Sequence, residues 1–597
     1  FNDHISASIR PNVRVRAGES QSYGNAWDQL GYDYTDAFTN AGYSYYGSNS
    51  ETYGSLSGGT AINSYFYGSQ NSLRNIYNDL LINFDYDLTE DLTFSGLIGN
   101  NIRDNKYRRT QQGGTNLEIP GWYHINNVLN PNGAASLDNR STRNRSYAFF
   151  ANADFNYKDY LFLNLTSRYE KTSVIDDGFF YPSAGISFVP TKAFSSLAGN
   201  KVLSNAKVYF NAVQVGNVGP VDTYDTFQSP NVASGFPFGD IAGFEIDQRP
   251  TEAAVKPEFV TSYEGGVNLE FFKRRITLDA TYYTQETTDL ITASTASTAS
   301  GLRSSQSNVG NLTNKGFEVD LGLTPLKTDN FEWNVGVNYA AQKSVINSLT
   351  RDVKSVNLLG NGWIGIFAEE GEEFPLIKGT VYERDPNGNI IVDANGTPLR
   401  SSEFKKLGKA TPDYILGFNT AVTYKGLRLS AIADYRTGHQ FYSGSKREML
   451  WSGHTQESAE FDRDLGYVIP GSVQETSPGV FTPNTQAVEG GGYSGVIDYY
   501  SNIASQTGEG LVLDATAFKI REVALSYSLP EKAIKSIGLN SLIFGVSARN
   551  LYSSFAAENQ NFSDPESSNN SGSAQGISSV GRYPSTRTYG FNVKLTF

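Results

Sequence analysis

A two-residue hydrophobic period runs through almost the whole of this 597-residue chain. The C-terminal segment 588–597, TYGFNVKLTF, shows the period in its simplest form. Its apolar side chains stand at alternate positions: Tyr589, Phe591, Val593, Leu595 and Phe597. Successive side chains of a β-strand point to opposite faces, so this alternation is typical of a strand with one apolar and one polar face. The chain is therefore predicted to be all-β.

About sixteen segments follow this pattern, each predicted to be a strand of roughly 10–14 residues. They begin near residues 5, 76, 92, 146, 160, 179, 206, 259, 276, 315, 331, 412, 427, 515, 541 and 587. One strand changes the phase of its alternation. Its apolar residues Phe518 and Ile520 stand at even positions, whereas from Val523 onward they stand at odd positions. An extra residue near Arg521–Glu522 restores the apolar face, so we predict a β-bulge there.

The connections between the strands fall into two sets. One set is mostly short: 88–91, 158–159, 190–205, 273–275, 325–330, 425–426 and 529–540. The other is mostly long: 17–75, 105–145, 171–178, 217–258, 289–314, 343–411, 438–514 and 552–586. Outer-membrane barrels combine short periplasmic turns with longer extracellular loops. This asymmetry favours a transmembrane antiparallel β-barrel over the alternative, a soluble multi-domain β protein.

Composition narrows the possible functions. There is no Cys, which excludes a disulfide scaffold, thiol catalysis and Cys-ligated metal sites. Lys and Arg number 48 against 61 Asp and Glu, a net charge of −13, so nucleic acid is not expected as a partner. Aromatic residues make up 13% of the chain, which suits the aromatic girdles of a membrane barrel.

Several blocks of the sequence, in this order, resemble the C-terminal barrel portion of SusC/RagA-type TonB-dependent outer-membrane transporters. The blocks begin with YPSAGISFVPTKAF (181–194), the segment 257–291 and NVGNLTNKGFEVDLG (308–322). They continue with the segment 407–438, FKIREVALSYSLPEKAI (518–534), and SARNLY, DPE and YPSTRTYGFNVKLTF within 547–597. The resemblance implies a barrel of about 22 strands closed by a plug domain. We therefore expect residues 1–597 to form one incomplete barrel domain, with about six strands and the plug outside these residues.

The resemblance also implies a function and a set of partners. The family imports oligosaccharides or peptides across the Gram-negative outer membrane, driven by the TonB complex, under a SusD-type surface lipoprotein lid. TonB is expected to act through a part of the protein outside these residues. The lipid bilayer and the barrel-assembly machinery are further expected partners, and a dimer of transporter–lipoprotein pairs is left open. The terminal apolar face, from Tyr589 to Phe597, resembles the signal that the assembly machinery recognises. A passive porin and an adhesive surface barrel are the alternative functions.

Three aromatic residues in the two longest loops are candidate substrate contacts: Trp363, Tyr442 and Trp451. Aromatic faces stack on sugar rings and on peptide side chains. The alternative for a Trp in such a long loop is that it packs the loop together. No catalytic constellation is present, so the chain is not expected to be an enzyme, and no cofactor is predicted.

Four motifs have both a binding and a structural interpretation. His439 and His454 share a loop with Glu448, Glu457 and Glu460, but solvent-facing histidines are favoured over a metal site. Asp385–Asp393 resembles the start of a calcium loop, while Asn387-Gly388 within it and Asn395-Gly396 just after it favour hairpin turns. Gly490–Gly495 matches a nucleotide-binding glycine pattern, yet a flexible loop tip is favoured because no strand precedes it. The acidic cluster Glu369–Glu373 is expected to be a solvated loop, or else to help dock the lid.

Overall fold

Sixteen long strands form one antiparallel sheet in the computed structural model, confirming the predicted number. The structure describes all residues except 1–2, 25–26, 29–30, 33–44, 47–60, 63, 120, 131–136, 198, 228–230, 236–238, 246–249, 296–303, 350–352, 461–464, 536–537, 569–571 and 581–584. The strands of this wall are β1 Ile5–Gly24, β2 Tyr65–Thr89, β3 Leu92–Leu117, β4 Leu137–Tyr157, β5 Leu161–Thr172, β6 Phe179–Phe188, β7 Leu203–Asn217, β8 Glu258–Phe271, β9 Ile276–Thr288, β10 Gly310–Lys327, β11 Phe331–Leu349, β12 Tyr414–Tyr424, β13 Leu427–Thr437, β14 Ala517–Ser528, β15 Ser541–Phe555 and β16 Thr588–Thr596.

The wall is a meander in which every strand pairs with the next one along the chain. The short segment Val128–Asn130 adds a further pairing to β3. Within the described residues, the outer edges of β1 and β16 carry no strand partner. The sheet is therefore open between these two strands, and its closure into a barrel stays a prediction.

The two faces of the wall differ as the alternation predicts. On β11 and β12, Trp333 stands opposite Val422 and Val337 opposite Phe418, and the aromatic members of both pairs are exposed. The other face is polar, and there Asn338 donates to Asp320 on the neighbouring strand. Exposed apolar side chains on one face suit a sheet whose outer surface meets lipid.

Several strands extend further than their apolar pattern. Residues 17–24, 65–75, 105–117 and 137–145 were predicted to be loop but belong to β1, β2, β3 and β4. This part of the prediction was wrong because these halves carry charged and polar side chains on both faces, while their backbone ladder continues unbroken. Hydrophobic alternation cannot detect a strand once both of its faces are solvated.

The predicted β-bulge in β14 is confirmed. The register shifts between Ile520 and Glu522 in the pairing with β15, and between Ile432 and Ala433 in the pairing with β13. Arg521 is therefore the extra residue against β13, which keeps Ile520 and Val523 on the same outer face. Against β15 the extra residue lies on β15, because Tyr552 and Arg549 face Ile520 and Glu522.

The connections alternate between short turns at one end of the wall and long segments at the other. Examples at the short-turn end are Lys425 and Gly426 between β12 and β13, both in the left-handed region with φ of 47° and 88°. The long-loop end carries small antiparallel pairs: Trp27–Asp28 with Ala61–Ile62, Gly31–Tyr32 with Tyr45–Tyr46, Asn231–Gly235 with Gly239–Glu245, and Ile291–Thr295 with Ser304–Asn308.

The described parts of the two longest connections fold together into a compact unit, here called the loop domain (residues 353–413, 438–460 and 465–516). It contains two small sheets of its own: Ser355–Gly360, Ile364–Glu369, Leu376–Gly379 and Lys405–Lys409; and Ile391–Val392, Val473–Ser477 and Val480–Pro483. In a third sheet, its strands Gln440–Ser443 and Val512–Asp514 are joined by Ile577–Ser578 from the connection between β15 and β16. The α-helices of the described chain are α1 Pro190–Ala193, α2 Gly444–Trp451, α3 Gly492–Asp498 and α4 Glu531–Ile534. Short 3₁₀ or π turns cover Ile125–Asn127, Gln456–Ala459, Val488–Gly490, Tyr499–Ile503, Ala504–Gln506, Gly508–Gly510, Ala557–Asn559 and Gly572–Ala574.

Among the described residues, no helix combines the length and the apolar character needed to cross a membrane.

Candidate functional site in the folded loops

The loop domain has a hydrophobic core of its own. Ile364, Ile366 and Ile377 from its four-stranded sheet are fully buried, together with Val488 and Leu511 from the second long connection. Residues more than a hundred positions apart therefore pack against one another. Burial of such side chains stabilises a fold by about 2 kcal/mol each, so these loops form a defined structure rather than a set of independent segments.

Trp363 and Tyr442, two of the three candidate substrate contacts, lie side by side in this domain. The indole Nε1 of Trp363 donates to the Tyr442 hydroxyl at 3.4 Å, and the Arg447 guanidinium lies 5.1 Å from the centre of the Trp363 ring. Tyr442 is buried in the core, and burial raises the pKa of its phenol. The two residues therefore pack the loops together, and their role in binding substrate stays a prediction.

Trp451, the third candidate, has a different environment. It ends helix α2, whose first turn is capped by the Ser443 hydroxyl accepting from the Lys446 backbone N–H at 3.2 Å. The Trp451 side chain is 55% exposed. An indole presented on a capped helix is available to a ligand, and its role as a substrate contact also stays a prediction.

A cluster of tyrosines in the loop domain escaped the sequence analysis. Tyr499 and Tyr500 pack edge to face with ring centres 4.9 Å apart, and Tyr467 and Tyr382 adjoin them. Burial raises the pKa of Tyr382, Tyr467 and Tyr499, so all three phenols stay neutral. The only sequence signal was the pair Tyr499–Tyr500 within a stretch that has no period of two.

The connection between β15 and β16 folds back over the polar face of the wall. We call its described residues 556–568 and 572–580 the strap. Its segment Ile577–Ser578 runs parallel to Gln440–Ser443 of the loop domain, and Ser563 shares a hydroxyl hydrogen bond of 2.9 Å with Ser443. The strap therefore joins the loop domain to the wall.

An ion-pair network fixes the strap to the wall. Lys519 on β14 is 95% buried and contacts Asp564 at 2.6 Å and Glu566 at 2.7 Å. Arg521, the bulge residue, donates to Glu566 at 2.8 Å and to Asp434 on β13 at 2.8 Å. The bulge directs Arg521 toward the polar face, which adds this guanidinium to the network.

Arg436, also on β13, completes the network by contacting Glu566 at 2.9 Å and Asp434 at 3.0 Å. Burial by itself would raise the pKa of the Glu566 carboxyl, but hydrogen bonds from Arg521 and Lys519 outweigh burial and lower it to about 2. Three cations thus face three carboxylates, and all of these charges are compensated.

Two polar cavities adjoin the strap. The larger, of about 360 Å³, is lined by Phe555, Phe562, amide side chains such as Asn559 and Gln560, and several serines including Ser445 of α2. Aromatic faces combined with amides and hydroxyls suit a ligand that offers both C–H surfaces and hydrogen-bonding groups. This cavity together with Trp451 is the candidate substrate site.

The smaller cavity, of about 150 Å³, lies between Arg436, His439, Gln440 and Glu566. His439 is buried where β13 leaves the wall, so the expected solvent-facing position is wrong for this residue, and burial lowers its pKa to about 4. Its Nδ1 atom has no hydrogen-bond partner among the described residues. A buried imidazole held in the neutral form is the most pH-sensitive group of the loop domain that we identify.

The alternative metal interpretations gain no support. The described residues contain no group of three or more His, Asp or Glu side chains that could hold a metal ion. Asp385 Oδ1 accepts the backbone N–H groups of Asn387 and Asn389 at 2.9 and 2.8 Å, and Asp393 Oδ1 accepts those of Asn395 and Thr397. These are the hairpin turns that the Asn-Gly pairs predicted, with their carboxylates engaged within the turns.

Two other motif interpretations were wrong. Gly490–Gly495 does not form a loop tip, because α3 begins at Gly492 and Gly495 packs against the Val488 carbonyl. The acidic cluster 369–373 is not simply solvated, because Glu369 pairs with Lys378, Glu372 with Lys406 and Glu373 with Lys409. Lysines from two strands of the same sheet, Leu376–Gly379 and Lys405–Lys409, pair with these glutamates.

The terminal strand β16 presents its predicted apolar face. Tyr589, Phe591, Val593, Leu595 and Phe597 are all exposed. Their role as an assembly signal stays a prediction.

A meander of strands with an apolar outer face, short turns at one end and long loops at the other defines the wall of an outer-membrane β-barrel. Residues 6–447 match the family described as TonB dependent receptor-like, beta-barrel. The chain therefore belongs to this family of Gram-negative outer-membrane proteins, which confirms the resemblance found in its sequence. In such barrels the long-loop end is extracellular.

Relatives of known identity support the same assignment. TonB-dependent receptor P26 of Formosa agariphila is 26% identical over 487 residues, which cover 75% of this chain and 46% of that protein. TonB-dependent receptor SusC of Bacteroides thetaiotaomicron is 23% identical over 320 residues, or 49% of this chain and 31% of SusC. The chain thus spans less than half the length of these relatives.

Among solved structures, the RagAB peptide transporter superimposes with a TM-score of 0.71 at 15% sequence identity. The superposition covers 100% of this chain and 60% of that one. At this level of identity, the likeness establishes the fold.

Proposed function

We propose that this chain is the greater part of the barrel of an active importer, which takes up oligosaccharides or peptides across the outer membrane. The observation that carries the proposal is the superposition of the entire chain on the RagAB peptide transporter. The similarity to SusC adds a second relative of the same kind. Transport is driven by the TonB complex through a plug domain that lies outside these residues.

Substrate is proposed to bind at the extracellular end, between the strap and helix α2. The cavity beside Phe555 and Phe562 offers ring faces, amides and hydroxyls, and Trp451 adds an exposed indole. Sugar rings and peptide side chains both present the apolar and hydrogen-bonding groups that such a site recognises. The substrate is therefore defined by size and polarity, as an oligosaccharide or a peptide.

A SusD-type lipoprotein is proposed to cover the loop domain as a lid. The hydrophobic core of the loop domain supports this, because a folded unit offers a partner a fixed surface at little entropic cost. Pairs of transporter and lipoprotein are further proposed to associate as dimers.

The test is purification of the whole transporter from its native membrane, followed by ligand binding. The proposal expects the lipoprotein to copurify, and oligosaccharides or peptides to bind the complex with an affinity that falls when Trp451 is replaced by Ala. A passive porin would instead give steady ion conductance in planar bilayers. An adhesin would bind host or surface polymers without internalising them.

A further inference from the structure

Three cations form a row across neighbouring strands β2, β3 and β4. In the strand register, Arg74 stands directly opposite Lys106, and Lys106 stands directly opposite Arg143. Residues that face one another in an antiparallel pair project on the same side of the sheet, with Cβ atoms about 5 Å apart. Arg74, Lys106 and Arg143 therefore share one face of the wall.

This face is the outer one. The preceding row consists of Ile76, Asp104 and Arg145, and residues of the same parity nearer the membrane include Ile98, Ile102, Tyr147 and Phe149. Those four apolar side chains are between 41% and 57% exposed, as expected for the lipid-facing surface. The cationic row lies immediately beyond this apolar band, toward the extracellular end.

The three cations of this row repel one another. Like charges directly opposite one another destabilise an antiparallel pair. Asp104 is the acidic member of the patch, accepting Nε of Arg143 at 2.9 Å and lying 3.4 Å from Nε of Arg145. With Arg108 two residues further along β3, five cations surround Asp104, in a chain whose net charge is −13. The next carboxylate on this face, Glu19, lies two rows beyond Arg74.

The guanidinium groups keep donors for a further anion. Each has five N–H donors, and Asp104 occupies only part of them on Arg143 and Arg145. The side chain of Arg145 is 58% exposed and that of Arg143 37%. Directly beyond the row, an outer groove of about 640 Å³ is lined by Ala17, Glu19, Gln70, Ser72, Arg108 and Thr110.

We propose that this patch binds the phosphate groups of an outer-leaflet glycolipid. Its height on the wall matches the headgroup layer, because the patch lies on the extracellular side of the outermost lipid-facing aromatic residues of β4, Tyr147 and Phe149. A single Arg guanidinium binds phosphate through two parallel N–H bonds, and juxtamembrane cations are attracted to anionic lipid surfaces. The adjoining groove, with its amide and hydroxyl groups, receives the sugar part of the headgroup.

The experiment uses the full-length transporter purified in detergent, with native mass spectrometry as the readout of bound lipid. The probes are a diphosphorylated lipid A, the same lipid without phosphates, and inorganic phosphate. The test variant is Arg74→Gln/Lys106→Gln/Arg143→Gln. The control, Arg14→Gln/Arg16→Gln/Arg103→Gln, removes the same charge from the opposite parity of β1 and β3, the inner face.

Wild-type protein and the control variant are expected to bind diphosphorylated lipid in preference to the dephosphorylated lipid. Each cation near a membrane surface contributes about 1 kcal/mol, or about fivefold in affinity, so the test variant, which lacks three, is expected to bind roughly a hundredfold more weakly. Equal binding of the two lipids by the wild-type protein would overturn the proposal, and this comparison requires no variant to fold. Competition by inorganic phosphate at the lipid's own concentration would also overturn it, since the site would then recognise free phosphate.

Discussion

Lys519 on the wall strand β14 donates to both carboxylate oxygens of Asp564, 45 residues further along the chain, at 2.6 and 2.7 Å. Lys519 is buried, so its charge depends on this contact and on Glu566. A buried cation with two carboxylate partners fixes the strap at one place on the wall. The loop domain, which pairs with the strap through Ile577–Ser578, is thereby tied to the barrel.

Replacing Lys519 with Met is expected to loosen the strap without preventing barrel assembly. Removing one partner of a buried ion pair leaves an uncompensated charge, which costs about 3 kcal/mol. The measurement is amide hydrogen exchange in residues 556–568. The free energy of local opening of this segment is expected to fall by about 3 kcal/mol. Lys535→Met is the matched control, because the Lys535–Glu531 pair is largely exposed and contributes little. Unchanged exchange in the strap of Lys519→Met would contradict the network's role.

The loop domain is expected to lose stability between pH 6.5 and pH 4 because of His439. Its pKa of about 4 lies below the ordinary value of 6.5, so the unfolded chain binds a proton in this range while the folded chain does not. The stabilisation is fully present above pH 6.5, falls as the pH approaches 4, and amounts to about 3 kcal/mol. His439→Gln is expected to flatten this dependence in a hydrogen-exchange series, whereas His454→Gln, at an exposed position, should keep it.

The strap is expected to stay attached to the wall at pH 4, where many carboxylate pairs begin to fail. Because the pKa of Glu566 is about 2, its contribution is complete above the ordinary glutamate pKa of about 4.3 and disappears only as the pH falls through 2. In the His439→Gln variant, which lacks the pH-dependent imidazole, protease accessibility of residues 556–568 should therefore be alike at pH 7 and pH 4. Cleavage that rises sharply between these values in the His439→Gln variant would contradict the assignment.

Deletion of Arg521 is expected to give a regular ladder between β13 and β14. Ile520 and Val523 would keep their outward face, so the barrel should assemble, but β15 would gain one more unpaired residue against β14 and the melting temperature should fall. The contacts with Glu566 and Asp434 would be lost, and the strap should exchange faster. If the deletion abolished assembly, the bulge would be required for the wall and not for placing Arg521 beneath the strap.

Trp451→Ala and Tyr442→Ala are expected to separate binding from packing. Tyr442 lies in the core, and loss of a buried aromatic side chain costs about 3 kcal/mol, so its variant should lower the melting temperature of the loop domain. Trp451 is exposed, so its variant should leave melting unchanged and weaken substrate binding. Undiminished substrate binding in Trp451→Ala would remove this residue from the candidate site.

The sixteen strands and the bulge could be predicted from the sequence because lipid on one side imposes a strict period of two. The extensions of β2, β3 and β4 could not, since Lys106 and Arg109 face different sides of a strand that is polar on both. The core of the loop domain could not be predicted either, because Ile364 and Leu511 are far apart in the sequence and meet only in the folded chain. The sequence shows that Lys519 and Glu566 are charged, but it contains no pattern that predicts their ion pair.

Uptake by intact cells tests the central claim most directly. Cells with the native gene are expected to accumulate a labelled oligosaccharide or peptide substrate of the transporter, and a protonophore or loss of TonB should abolish the accumulation while surface binding persists. Accumulation that continues at the same rate without TonB and without a proton gradient would contradict active import and identify the protein as a passive channel.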